Sequence, residues 1–475
     1  MHPSHSHFRN VVDDITRQIS YHESIVEKLR EKRQAAQTEL DSLVYPVLTL
    51  PPEITAEFFL WCLPTSSGGT EWNQVRALDE APMLLCHVCS AWRDIAFSTP
   101  ALWANMKLQV LPLYSADLFR AWIARTRDCP LSVHLYHFGR TSQAIFETLV
   151  DCASRIQCLE LVDISVARLL QMEQACSAWD FRSLQRLTIV QDKDDHASIG
   201  AFADTPLVRE VFLDKVPPRN ISLPWHQLTK FTGRMYSTED CLEVLRLCPN
   251  LVECTFAAYG RHPDDILTHP TLQSLTFIMG HSGWSVADGT HLLGCLVLPA
   301  LQSLYILDCD YSEFADIFTG FLSRSSPPLR KFGIHLSEAT GTNLQMAHLL
   351  LMPELVELEI WDPDMICADG FFNLFTSNAS FLPKLQQLAL TGSPIRTLPK
   401  GPPSEESSRH LLATAALALT HRWQARQEGQ SAELKSFRVV WSHVVDLDEK
   451  VLAPFKKLAA EGMNIKIVSQ NRVYV

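Results

Sequence analysis

Pro299-Ala300-Leu301-Gln302-Ser303-Leu304-Tyr305-Ile306 and Pro353-Glu354-Leu355-Val356-Glu357-Leu358-Glu359-Ile360 are two copies of one phrase, Pro-x-Leu-x-x-Leu-x-Ile. It stands again at Pro249-Leu251-Cys254-Phe256, Pro270-Leu272-Leu275-Phe277, Pro327-Leu329-Phe332-Ile334 and Pro383-Leu385-Leu388-Leu390. The last two apolar positions are two apart, so both point to one face of a strand. Proline precedes the strand, where no ladder donor is lost. Weaker copies occur at Ile156-Leu159-Leu161, Leu184-Leu187-Ile189, Val208-Val211-Leu213, Leu228-Phe231 and Leu434-Phe437-Val439. Between phrases, Thr238–Cys248, Tyr311–Ser323 and Asp369–Phe375 place apolar residues three and four apart, which predicts helices.

The leading leucines of the strong copies step by 21, 29, 28, 26 and 30 residues, the spacing of leucine-rich repeats. A strand–helix unit of this length cannot cover its own apolar face, but a stack of them can. The expected class is therefore α/β: a curved parallel sheet inside, helices outside. About eleven to thirteen such units would fill residues 130 to 475, within a repeat region starting at residue 106. Pro399–Ser408 reads as a Pro/Ser-rich insertion followed by an extra helix to about Gln427, together an insertion over 399–428.

Composition narrows the function classes. The chain has 475 residues with 41 Lys+Arg against 53 Asp+Glu, a net charge of −12, so it offers no basic surface for nucleic acid. Hydrophobic residues make up 47%, enough for a folded core. Only 18 glycines leave little material for phosphate-cradling loops. The 13 cysteines are an odd number scattered over apolar positions, unlike a secreted disulfide framework. The longest apolar run, Leu411 to Leu419, is far short of the ~20 residues a membrane span needs. These features predict a cytoplasmic or nuclear protein without membrane or nucleic-acid partners.

Residues 1–10 read as a flexible terminus and 11–45 as a coiled-coil-like helix. Ile15, Ile19, His22, Val26, Leu29, Arg33, Ala36, Leu40 and Leu43 alternate in steps of four and three, the spacing of a coiled-coil seam. Glu23, Glu27, Lys28, Glu31 and Lys32 fall on the solvated faces, and Pro46 stops the helix. His22 and Arg33 interrupt the seam, so the pattern leaves two choices open. The helix pairs with another helix, or its stripe packs on its own chain.

Residues 46–105 form a third region. Leu50-Pro51-Pro52-Glu53-Ile54 opens a helix with prolines in its first turn and an acid at its positive end. Ile54, Phe58, Phe59 and Leu63 make an apolar stripe, and Thr65 to Glu80 reads as a loop. A second helix is expected to carry Leu84, Leu85, Val88, Cys89, Trp92, Ile95 and Ala96 up to Pro100, followed by Leu102 and Trp103. So many large apolar groups in about sixty residues need a partner or a neighbouring domain.

Leu50-Pro51-x-Glu53-Ile54…Phe59…Leu63 with Val88-Cys89-x-x-Trp92-Arg93-x-x-Ala96…Pro100-x-Leu102-Trp103 resembles an F-box. The run Ala81 to Ala96 is similar to F-box proteins abundant in mushroom-forming fungi, which share the long loop between the first helices. The resemblance implies docking to a Skp-type adaptor, and through it to a cullin, in a ubiquitin ligase. By motif position it assigns adaptor contact to Leu50, Pro51, Ile54, Phe58, Val88, Cys89 and Trp92. The pattern does not divide these between the box's own core and a partner. In this reading the repeats capture a protein target for ubiquitination. The rival is a leucine-rich-repeat interaction scaffold with no ligase role.

Motifs for chemistry are sparse, and no enzyme activity or cofactor is expected. Cys86-x-x-Cys89 has no second pair at a zinc-finger distance. His2, His5 and His7 sit on a terminus, and Asp192, Asp194 and Asp195 read as a solvated turn. There is no G-x-S-x-G, no G-x-x-x-x-G-K-[ST] and no H-E-x-x-H. Target binding is expected on the strand face turned away from the repeat core. Glu160, Phe212, Asp214 and Arg234 are candidates there, with Tyr305, His335, Glu359, Trp361 and Arg438 as the main set, read as equivalent strand positions. The alternative for Tyr305, His335 and Trp361 is that they cover one another along the ladder.

Overall fold

The structure is a computed structural model. It describes residues 5–42, 49–64, 80–109, 115–136, 143–175, 179–192, 198–259, 265–278, 291–307, 311–335, 348–361, 365–378, 380–392, 405–427, 434–441, 445–470 and 472–475. The chain divides into two compact units, Met1–Trp103 and Ala104–Val475.

The described elements of the first unit are all helical. A long helix, α1 (His5–Ser42), precedes α2 (Pro52–Trp61), α3 (Met83–Cys86), α4 (Ser90–Ser98) and a 3-10 turn, Pro100–Trp103. Helix α1 begins at His5, so most of the expected flexible terminus is helical instead. Pro52 and Glu53 occupy the first turn of α2, where a missing amide donor is harmless and a carboxylate favours the dipole.

The expected second helix is broken in two. Cys89 adopts an extended conformation (φ −158°, ψ 171°) and its sulfur accepts the Trp92 backbone N–H, which starts α4 afresh. Arg93 Nε donates to the Cys86 carbonyl at 2.9 Å, satisfying the end of α3. Phe59, Leu85, Cys86, Ala96, Leu102 and Trp103 form the core. The Trp103 indole N–H donates to the Ala96 carbonyl at 2.8 Å, so its one polar atom is paired inside that core.

The second unit is a mixed α/β body around one large sheet. Its strands begin with β1 (Asn105–Gln109), β2 (Leu131–Tyr136), β3 (Ile156–Ile164), β4 (Arg186–Gln191), β5 (Glu210–Asp214) and β6 (Lys230–Ser237). They continue with β7 (Glu253–Tyr259), β8 (Leu267–Thr268), β9 (Ser274–Ile278), β10 (Leu296–Val297), β11 (Ser303–Leu307) and β12 (Lys331–His335). Last come β13 (Glu357–Trp361), β14 (Gln387–Thr391), β15 (Ser436–Trp441), β16 (Asn464–Ser469) and β17 (Arg472–Val473). Fifteen of them form a single sheet in chain order, with β8 and β10 set aside as a separate parallel pair. Every neighbour in the large sheet is parallel except β17, which folds back antiparallel on β16.

The helices of this unit lie in the connections: α5 (Ser115–Arg125), α6 (Gln143–Cys152), α7 (Val166–Ala175), α8 (Thr238–Leu247) and α9 (His291–Gly294). They are followed by α10 (Tyr311–Ser325), α11 (Met365–Ser377), α12 (Glu405–Gln427) and α13 (Glu449–Ala460). Helix α8 starts at a capping box in which Ser237 and Asp240 satisfy each other's backbone amides. The described connection from β5 to β6 carries two 3-10 turns instead, Pro218–Asn220 and Trp225–Gln227.

Each repeated phrase supplies one strand, and the phrases align. Leu304, Phe332, Leu358, Leu388 and Phe437 stand in register across five adjacent strands, and all are buried. The next apolar positions, Ile306, Ile334, Ile360, Leu390 and Val439, make a second buried row. The other face of the strands carries mostly polar and half-exposed residues. Strands β1, β2 and β16 lack the full phrase and were not expected from it.

The helix read as an extra element is the one described in the β14–β15 connection. Helix α12 packs against both α11 and α13, so it belongs to the helix layer. Its Arg422 is buried and reaches the end of α11. Nε donates to the Phe375 carbonyl at 2.8 Å and Nη2 to the carbonyls of Asn378 and Phe381. The guanidinium also lies 4.2 Å from the Phe375 ring centre. Burial lowers the Arg422 pKa, yet an arginine stays charged. Arg422→Met keeps the stem but leaves these carbonyls unpaired, so we expect a loss of about 2–3 kcal/mol in denaturant unfolding. An unchanged midpoint would show the helix end to be satisfied in another way.

Candidate functional site

Two surfaces carry the residues singled out by sequence. On the first unit, the helical stripe divides into an inward and an outward half. Thr55 and Phe59 face in; Leu50, Pro51, Ile54 and Phe58 face out, with Phe58 58% exposed. Ile54, Phe58 and Trp61 are spaced four and three apart, which places them on one side of α2. Trp61, not anticipated from the motif, is 82% exposed. Its place seven residues after Ile54 was the available signal.

Helix α3 repeats this division. Leu85 and Cys86 are buried, whereas Leu84 and Val88 are exposed. Helices α2 and α3 both pack on α4. Cys89 and Trp92 do not join the outward set. Cys89 caps α4, and the half-buried Trp92 ring lies 4.9 Å from Phe59, centre to centre. Five of the seven residues assigned by motif position are therefore available to a partner, and these two serve the unit's own packing. Large apolar side chains left in water around two short helices are the informative feature of this unit.

The second surface is the face of the large sheet opposite the buried rows. Glu160, Phe212, Tyr305, Glu359 and Arg438 belong to one register row across it. Asp214, Arg234, His335 and Trp361 lie two residues further along their strands, so the main set occupies two rows instead of equivalent positions. His335 ends β12, and its side chain falls outside the described residues.

Trp361 departs furthest from expectation, being only 4% exposed. Its ring packs on Tyr305, two strands away, with centres 6.0 Å apart. Gly333 on the strand between them makes this possible. A β-carbon there would lie 2.3 Å from the Tyr305 ring and 2.5 Å from that of Trp361. Burial, with Glu357 and Glu359 nearby, raises the Tyr305 pKa and keeps its hydroxyl protonated.

Charges on this face are largely paired across strands. Arg186 meets Glu210 at 2.8 Å, Lys230 meets Glu253 at 3.2 Å, and Lys331 meets Glu357 at 2.8 Å. Arg234 stands 3.8 Å from Asp214, and His134 contacts Glu160. Arg438 reaches Glu359 at 3.4 Å over the small Ala389, and Thr391 donates to the same carboxylate. Arg438 and Glu359 remain 48% and 30% exposed, which leaves them accessible to a ligand.

Neither a family model nor a curated protein matches the chain.

The remaining motifs offer less. Cys86 is buried, and the Cys89 sulfur is engaged in the helix cap. No group of three or more His, Cys, Asp and Glu among the described residues could hold a metal ion. Asp194 and Asp195 of the acidic cluster, and His2, lie outside the described residues. The cysteines whose side chains are described are free thiols. Burial pushes Cys152 and Cys248 up to about 12 and raises Cys158, Cys241 and Cys254, so these thiols stay protonated at neutral pH. No described helix is long and apolar enough to cross a membrane.

Proposed function

We propose that the chain is a substrate-receptor subunit of a Skp–cullin–F-box ubiquitin ligase. The first unit is the F-box that docks a Skp-type adaptor, and the second is a leucine-rich-repeat array that holds a target protein. One observation carries the reading. The residues that the F-box pattern assigns to a partner include the exposed set Leu50, Pro51, Ile54, Phe58 and Val88, while their neighbours Phe59, Leu85 and Cys86 fill the core. A stripe of this kind suits an apolar groove on a partner. The repeat spacing and the chain-ordered parallel sheet support the second half of the reading.

The contribution to catalysis is proximity. The receptor holds a lysine of its target near a conjugating enzyme carried by other subunits, which raises the effective concentration of the reacting groups. Tyr305, Glu359 and Arg438 form the accessible part of the proposed target face. The deciding experiment is capture of a recombinant Skp-type adaptor by the purified full chain. We expect a stable complex that elutes as one species. Failure to bind any of several such adaptors at micromolar concentration would favour the scaffold reading, in which the box has no ligase role.

A further inference from the structure

The least accounted-for part of the molecule is α1. Every described side chain from His7 to Leu40 is exposed. An isolated helix draws little stability from its own hydrogen bonds, and most protein helices rely on a buried apolar face. Helix α1 has such a face without a cover. Its seam side chains Phe8, Val12, Ile15, Ile19, Val26 and Leu29 are between 45% and 61% exposed.

We infer that α1 pairs with α1 of a second copy of this chain as a parallel, in-register, two-stranded coiled coil. The pairing does not depend on the adaptor reading. The helix extends to His5, which adds Phe8 and Val12 to the four-three spacing seen in the sequence. In that heptad Val12, Ile19 and Val26 take the a positions, and Phe8, Ile15 and Leu29 take d. β-Branched residues at a with leucine at d, as at Val26 and Leu29, favour two parallel strands over higher assemblies, Ile15 being the one β-branched side chain at d.

The polar interruptions select the same arrangement. In a parallel pair His22 meets His22 and Arg33 meets Arg33 of the second copy, which confines polarity to two layers. Arg33 can extend its guanidinium to water along its aliphatic stem. An antiparallel pair of full overlap would set His22 against Val26 and Arg33 against Ile15, spoiling four layers. It would also bring Glu23 to Glu23 across the dyad. Parallel flanking contacts are Val11 with Thr16, Gln18 with Glu23, Ile25 with Arg30 and Lys32 with Gln37, none of like sign.

Light scattering on the full chain at micromolar concentration tests the pairing. We expect the mass of a dimer, and a monomer for Ile19→Glu/Val26→Glu with the melt of the sheet unit unchanged. His22→Leu should tighten the dimer, lowering its dissociation constant about tenfold or more. Val26→Cys tests the orientation under mild oxidation. Peptide mapping should find residue 26 joined to residue 26 of the second copy. A monomeric parent, a dimer indifferent to Ile19→Glu/Val26→Glu, or looser pairing by His22→Leu would overturn the inference. A dimer of Val26→Cys without the 26–26 link would overturn the parallel register.

Discussion

Replacing Ile54 and Phe58 together by aspartate is expected to weaken adaptor capture by the full chain on the order of a hundredfold or more. Both side chains lie in water in the free protein, 48% and 58% exposed. Their replacement should therefore leave the melt of the chain within about 0.5 kcal/mol of the parent, as exposed substitutions usually do. In a complex, each carboxylate would be buried without a partner, which adds a desolvation cost to the lost apolar contact. Phe59→Ala is the informative contrast. Phe59 is 2% exposed and packs on Trp92, so its truncation should cost about 3–5 kcal/mol of stability. Binding assays and denaturation curves on both variants separate the two halves of the stripe. Undiminished capture by the double aspartate variant would falsify the docking surface.

Trp361→Ala is expected to act on stability first. A tryptophan 4% exposed and seated on Tyr305 leaves a cavity when truncated, at a cost of about 3–5 kcal/mol. Gly333→Val approaches the same cluster from the opposite direction. Its β-carbon would overlap both rings, and relieving that overlap by moving rings or strand should cost about 1–3 kcal/mol. Urea or thermal unfolding measures both. A weakened target interaction in Trp361→Ala would then reflect a disturbed strand cluster, not a lost anchor. Arg438→Ala, which removes an accessible group and loosens only a half-exposed ion pair, is the cleaner probe of the face. If Trp361→Ala unfolds at the parent's midpoint, the ring is not a structural element of the sheet.

The strands and their registers were legible because each repeated phrase fixes two buried rows by itself. Leu358 and Ile360 need no knowledge of their neighbours to be placed inward. The fate of Trp361 was not legible, because it depends on Gly333, 28 residues earlier and on another strand. The division of α2 was hidden for a related reason. Phe58 and Phe59 are adjacent on a helix, about 100° apart, and the packing of α2 on α4 and on the Pro100–Trp103 turn decides which is covered. The break at Cys89 was missed since Leu84 to Ala96 keeps helical periodicity throughout. The interruption comes from one backbone residue in an extended conformation, which periodicity cannot register. Helix α12 looked like an insertion because no phrase introduces it, yet Arg422 ties it to the end of the preceding helix.

Parallel sheets are usually slow to form, because their strands must wait for distant segments of chain. This one differs, since the order of strands in the large sheet is their order in the chain. Each strand can dock on the one synthesised just before it, and the sheet can grow at the pace of translation. Throughout that growth the newest strand presents an open row of amides and carbonyls, a template for wrong pairing. The exposure moves along with synthesis, and β17 partly covers it at β16 by turning back, through Val468 with Val473 and Ser469 with Arg472. A nascent chain stalled before Arg472 would leave β16 as an uncovered margin of the sheet. Such stalled chains should self-associate and engage chaperones more than chains that include β17.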